Sequence, residues 1–143
     1  MKKALCLAAA IAVAGPAVAQ EAITYQFEGS YEDATFAVEN AIIDRGLVID
    51  YVSHVGDMLA RTGPDLGSDV EIFEQAQIFI FCSASASRRA MEADWLNIVH
   101  CPYGIFVAQV DGEVIVGHRA YPDGPMQEVE AVLDAIILEA RGS

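Results

Sequence analysis

Two cysteines, Cys82 and Cys101, are the residues of this sequence best suited to chemistry. Both lie in one stretch, AQIFIFCSASASRRAMEADWLNIVHCPYGIFVAQV, which runs from Ala76 to Val110. A thiolate is a nucleophile, a redox group and a ligand for soft metals. The pair therefore suits a ligand or metal site, a thiol–disulfide couple or a structural bridge. The residues around the cysteines favour some of these uses over others.

Polar and basic residues follow Cys82 closely. Ser83 and Ser85 are N-cap candidates for a helix, and Arg88 and Arg89 come about one turn later. A helix N-terminus and nearby positive charge would stabilise a thiolate at Cys82. A buried, inert thiol is the alternative, because cysteine is among the commonest core residues.

The elements between the cysteines indicate how they could meet. The run Ala76 to Cys82 is nearly all apolar, as in a buried strand, and a helix follows to about Asp94. The helix would rise about 16 Å, and an extended run from Ile98 would retrace that length. A right-handed crossover to a parallel neighbour would then return Cys101 to the level of Cys82, at the carboxyl end of a central strand. Antiparallel pairing is the alternative and would change this geometry.

Histidines extend the possible metal ligands. Sulfur with imidazole suits Cu(I) or Zn, so Cys82, Cys101 and His54 form the predicted metal set. His100 is a further site candidate, although on a strand it would point away from its neighbour Cys101. The sequence requires no cofactor. Arg61 could meet an anionic ligand or could be an ordinary surface arginine.

The rest of the chain supplies the elements that must position these residues. Ser30 with Asp33 predicts a capped helix start, Asp111-Gly112 a hairpin, and Pro125 the start of a last helix. The predicted order is β-α-β-(short α)-β-α-β-β-α. This order indicates an α/β or α+β fold, with about five strands in one sheet covered by helices.

Residues 1–19 have the pattern of a secretory signal peptide. Lys2 and Lys3 precede a short apolar segment, and Ala17-Val18-Ala19 is a small-residue cleavage site. We expect cleavage after Ala19, a single domain over residues 20–143, export to a bacterial periplasm and no stable membrane anchor afterwards.

Charge limits the possible partners. Beyond residue 19 the chain carries six arginines, no lysine and all 21 acidic residues, a formal charge of −15. Nucleic acid and anionic membrane surfaces are therefore unfavourable partners. An acidic ligand would need an arginine close at hand.

The segment FCSASASRRAMEADWLNIVHCPYGIFVAQVDGEVIVG resembles the core of the domain-of-unknown-function 302 family. The matching features are a strand ending in Cys82, a helix containing Arg89-Ala90-Met91-Glu92-Ala93, and Cys101 ahead of a valine-rich hairpin. The segment Ala41 to Leu47 also fits, whereas Ser83-Ala84 and His100-Cys101-Pro102 depart from the usual Asn-Pro and Pro-Cys-Asn. The resemblance implies a compact α/β fold, often a homodimer, with no settled activity.

The sequence is compatible with three functions. The first is an exported binding module for an unknown small ligand or soft metal, with Cys82 and Cys101 bordering the site. The second is a thiol–disulfide redox protein, and the third is a structural or accessory subunit whose cysteines form a disulfide or belong to the core. An enzymatic activity is the less favoured expectation.

Overall fold

The chain alternates strands and helices in the predicted order. A computed structural model describes residues 22–142; the predicted signal peptide and the predicted cleavage site at Ala19 lie outside them. The strands are β1 (Ala22–Phe27), β2 (Ile49–Ser53), β3 (Gln75–Phe81), β4 (Tyr103–Val110) and β5 (Glu113–Arg119). The α-helices are α1 (Tyr31–Asp44), α2 (Val55–Thr62), α3 (Ala84–Ala93) and α4 (Gln127–Ala140), joined by 3₁₀ helices at Pro64–Leu66 and Trp95–His100.

Local signals set several of these boundaries. Ser30 Oγ accepts from the Asp33 backbone N–H at 3.0 Å, and the Asp33 carboxylate accepts from the Ser30 backbone in return. Asp111 and Gly112 both have positive φ, 53° and 79°, as a type I′ hairpin turn requires. The capped start of α1 and the hairpin between β4 and β5 are thus confirmed.

All neighbouring strands of the sheet run antiparallel, in the order β1-β5-β4-β3-β2. The expected parallel crossover between β3 and β4 is therefore wrong. Residues Ile98 to Cys101 were expected to be extended, but the 3₁₀ helix Trp95–His100 occupies most of that stretch, capped by the Asp94 side chain on Leu96 N at 2.9 Å. Six 3₁₀ residues span about 12 Å, nearly the length of α3, so the chain returns to the end of β3 that it left.

The two faces of the sheet differ. On one face the core packs beneath α1, α3 and α4 and includes Phe79, Phe81, Ile105, Val107, Val116, Leu133 and Ile136. On the opposite face Ile78, Ile80 and Phe106 remain partly exposed. Helix α2 contacts β3 where Gly56 lies against the backbone of Ala76. Within residues 22–142, no helix combines the length and apolar character that a membrane crossing demands.

Strand β2 is shorter than the predicted run Leu47 to Val55. Val55 instead begins α2, and the register shifts between Ile49 and Tyr51. This bulge interrupts the strict alternation of faces, so Tyr51 is 64% exposed while Val52 packs against the core.

Candidate functional site

The end of β3 and the start of β4 bring the two cysteines together. Phe81 pairs with Tyr103, Cys82 follows the first strand and Cys101 precedes the second. The cysteine side chains lie 4.2 Å apart, both half-buried, with free thiols. Antiparallel pairing, not a crossover, therefore creates the juxtaposition.

Hydroxyl groups lie beside Cys101. Ser87 Oγ lies 2.7 Å from Tyr103 Oη, and Cys101 Sγ donates to Ser87 Oγ at 3.9 Å. Tyr121 contacts the Tyr103 ring edge-on, with centroids 6.1 Å apart. The site therefore combines two thiols with hydroxyl and aromatic groups.

Sequence reasoning did not assign Ser87 or Tyr121 to the site. Ser87 lies four residues after Ser83, so helical spacing could have placed both at the same side of α3. Tyr121 follows β5 and reaches the site only through the sheet order, for which the sequence contains no local signal.

The serines at the start of α3 have structural contacts. Ser83 is its N-cap, with Oγ accepting from Ala86 N at 3.4 Å, as expected. Ser85 Oγ lies 3.4 Å from Ser83 Oγ. His100 ends the 3₁₀ helix and contacts Tyr121 edge-on at 5.8 Å. These residues flank the cysteine pair.

The electrostatic environment of Cys82 disfavours the thiolate form that the sequence led us to expect. Burial raises the pKa of the Cys82 thiol, and neighbouring Cys101 raises it further, against a smaller lowering by a backbone hydrogen bond from Tyr103. The arginines of α3 do not compensate, because Arg88 pairs with Glu92 at 2.7 Å and Arg89 pairs with Glu128. The neutral thiol is the favoured form.

The tyrosines of the site are also held in their neutral form. Burial raises the pKa of Tyr121 to about 12. Burial also raises the pKa of Tyr103 far above its usual range. Cys101 raises this pKa further, whereas the hydrogen bond with Ser87 lowers it. Both phenols therefore remain hydroxyl donors at neutral pH.

Two predicted site residues lie elsewhere. Ser53 pairs with Ile78, four residues before Cys82, so Ser53 lies about 13 Å along the sheet from the cysteines and His54 follows one residue beyond it. Arg61 lies on α2, which packs against β3 near its first residues. The structure therefore does not bring His54 to the two cysteines of the predicted metal set Cys82, Cys101 and His54. Residues 22–142 contain no cluster of three or more His, Cys, Asp or Glu able to hold a metal.

A buried polar network lies behind the site. The His118 ring stacks on Tyr121 at 6.4 Å and is fully buried. Its Nε2 lies 3.0 Å from Asp134 Oδ1, to which Tyr25 Oη donates at 2.7 Å, and its Nδ1 lies 2.7 Å from the Arg119 carbonyl oxygen. Both ring nitrogens of His118 thus lie beside accepting oxygens, one from a carbonyl and one from a carboxylate.

Comparison with known proteins identifies the family of this chain. The family model "Domain of unknown function DUF302" matches residues 23–123, well over half of the chain and including both cysteines. The chain belongs to the DUF302 family. No curated protein matches this DUF302 chain.

A solved structure supports the architecture. The "Crystal structure of uncharacterized conserved protein DUF302 from Bacillus stearothermophilus" is similar to this DUF302 chain with a TM-score of 0.68 and 17% identity. The match covers 86% of this chain and 100% of that one. At this identity the similarity shows a shared fold, and the site has to be argued from its own residues.

Proposed function

We propose that this DUF302 chain is a small exported binding module whose Cys82 and Cys101 thiolates hold one soft metal ion, Cu(I). The 4.2 Å between the two cysteines supports this. Metal–thiolate bonds measure about 2.3 Å for zinc, so one ion of similar size between two sulfurs separates them by at most about 4.6 Å. The observed approach leaves room for such an ion with small side-chain shifts.

The ligand set favours a metal of low coordination number. A structural zinc site needs four ligands, and the described part of the chain offers no cluster of even three candidate residues at one place. Soft thiolates select Cu(I). A two-sulfur site is therefore better suited to Cu(I) than to zinc.

The raised pKa of Cys82 affects thiol exchange and metal binding in different ways. Exchange begins with a free thiolate, which burial disfavours here. A metal ion supplies its own positive charge and displaces the thiol proton on binding. Metal binding also has to displace the thiol proton, and the charge of the ion favours that step.

A redox couple is the second candidate, supported by the same proximity. In that reaction Cys82 and Cys101 together lose two electrons and two protons and form one disulfide, while a partner disulfide is reduced to a dithiol. A disulfide with no turnover would instead be structural.

Native intact mass of the protein purified from periplasm, with one equivalent of Cu(I) under anaerobic conditions, tests the proposal. We expect one bound copper in the wild type and in the matched control His54→Ala, and none in the double variant Cys82→Ser/Cys101→Ser. A wild-type mass that is bare and lighter by the hydrogens of one disulfide would contradict metal binding. Ease of reduction would then decide between the redox and structural functions.

Export and self-association are separate proposals. The pattern at residues 1–19 supports export, and fractionation of cells expressing the full chain tests it, with mature protein in the periplasm expected. The family resemblance supports a homodimer, which light scattering of the mature protein tests.

A further inference from the structure

We propose that the open face of the sheet binds a linear monocarboxylate with an apolar tail, a ligand of the fatty acid class. The binding surface is a trough formed by Ile78, Ile80, Gly104 and Phe106, with Arg119 at one end. Neither cysteine lines this trough, although Pro102, which follows Cys101, does. The proposal is independent of metal binding.

The floor of the trough follows from strand register. Phe106 lies between Ile78 on β3 and Gly117 on β5, and Gly104 lies beside Ile80. Paired residues share one face of a sheet, so these positions face together. They place an apolar surface on the side opposite the core.

Two glycines shape this surface: Gly117 seats an aromatic ring and Gly104 leaves a depression. A Cβ at Gly117 would lie 2.7 Å from the Phe106 ring, so the ring lies directly over that glycine. A Cβ at Gly104 would lie 3.1 Å from Ile78 Cγ2 and 3.4 Å from Ile80 Cδ1. Gly104 therefore leaves a depression between Ile78 and Ile80, whereas the Phe106 ring fills the space above Gly117.

Two adjoining cavities occupy the trough. One of about 290 Å³ is lined by Ile80, Gly104, Pro102 and Arg119, among others. Another of about 370 Å³ is apolar and ends against Val55 and Phe73. Both include Ile78 and Phe106, and their volumes are in or near the range typical of small-molecule sites.

Length and shape indicate a chain-like ligand. The trough follows β3 from Ala76 to Ile80, four residue steps or about 13 Å. An extended hydrocarbon tail suits a narrow apolar channel of this length. The hydrophobic gain from covering these side chains favours binding.

The positive charge at one end of the trough indicates an anionic head group for the ligand. Arg45, Arg88 and Arg89 form ion pairs with glutamates, and Arg141 donates to the Gln26 carbonyl oxygen. Arg119 is exposed and lines the polar end of the trough. A guanidinium matches a carboxylate with two parallel hydrogen bonds. In a strongly acidic chain, this local positive charge favours an anionic head at this end of the trough.

Isothermal titration with dodecanoate and with dodecanol, both below micelle-forming concentrations, tests the assignment. We expect wild-type protein to bind dodecanoate about tenfold more tightly than dodecanol, as one charge-assisted contact predicts. Arg119→Met should remove that preference and leave dodecanol binding unchanged. The matched control Arg61→Met, on α2 and outside the trough, should keep it.

A second variant tests the trough itself. Gly104→Val should block both ligands without unfolding, because the added Cβ lies close only to the side chains of Ile78 and Ile80, and the nearest backbone atom, the Phe79 carbonyl oxygen, is 3.9 Å away. Circular dichroism checks the fold. The double variant Cys82→Ser/Cys101→Ser should still bind dodecanoate, which separates this site from the metal site.

Three results would overturn the proposal. They are no dodecanoate binding by the wild type, equal binding of both ligands, and unchanged binding by folded Gly104→Val. A dimer that Ile78→Asp dissociates, together with no ligand binding, would identify a second copy of the chain as the occupant instead.

Discussion

Phe81 on β3 pairs directly with Tyr103 on β4. This single register position fixes where the two strands end and begin, and so where the cysteines meet. A slip of one residue would turn every side chain of β4 to the other face of the sheet. The thiol pair and the partly exposed apolar face therefore depend on the same register.

The Cys82 thiol should react slowly with iodoacetamide at neutral pH. Burial and neighbouring Cys101 raise its pKa, which lowers the thiolate fraction. Cys101→Ser should lower that pKa and speed alkylation of Cys82, since it removes a neighbour that disfavours the thiolate. Alkylation rates across a pH series, followed by peptide mass, measure this; unchanged rates in the variant would contradict the coupling.

Loss of His118 should cost more stability than loss of the Tyr25 hydroxyl. His118→Leu removes both ring contacts and leaves the Asp134 carboxylate and the Arg119 carbonyl without the imidazole, a cost of about 2–3 kcal/mol. Tyr25→Phe removes one hydrogen bond to Asp134, about 1 kcal/mol. Urea unfolding of both variants gives the comparison, and equal midpoints would argue against a shared network.

Two glycines of the same sheet face should respond differently to alanine. At Gly117 the added Cβ would lie 2.5 Å from the Ile23 carbonyl oxygen, a backbone atom that cannot move aside cheaply. We expect Gly117→Ala to cost about 1–3 kcal/mol. The matched Gly104→Ala should cost less, because its Cβ would lie 3.1 Å from a side-chain atom of Ile78 and 3.9 Å from the nearest backbone atom. Thermal unfolding compares the two variants, and the reverse order would contradict this packing.

Alkaline pH should destabilise the fold. The pKa values of Tyr25, Tyr31 and Tyr121 are raised from 10.0 to about 12, by an Asp134 hydrogen bond at Tyr25 and mainly by burial at the other two. Below pH 10 these phenols are neutral in both states, so their stabilising effect is fully present. Between pH 10 and 12 only the unfolded chain ionises, so stability falls as pH rises.

Urea midpoints over this pH window test the alkaline prediction. Tyr121→Phe removes one of the three groups and should make the fall shallower. Tyr51→Phe, at a position 64% exposed, is the control and should leave the fall unchanged. A pH-independent midpoint from 10 to 12 would contradict the raised pKa values.

Several elements were predictable because their signals are local. The Ser30 cap, the Asp111-Gly112 turn and the apolar spacing of α4 each depend on a few neighbouring residues. The stretch from Ile98 to Cys101 was misjudged because short apolar runs suit a strand or a helical turn equally. The Asp94 side chain caps the 3₁₀ helix and so favours it over a strand.

The sequence by itself determined the mixed α/β class, the order of elements, the family resemblance and the choice of Cys82 and Cys101 as the candidate pair. Tertiary structure decided which residues accompany them: it brought in Ser87 and Tyr121 and placed His54 and Arg61 elsewhere. It also decided that Cys82 is favoured as a neutral thiol. The physical reason is that strand direction, burial and charge pairing arise from contacts between residues distant in sequence, which no local pattern specifies.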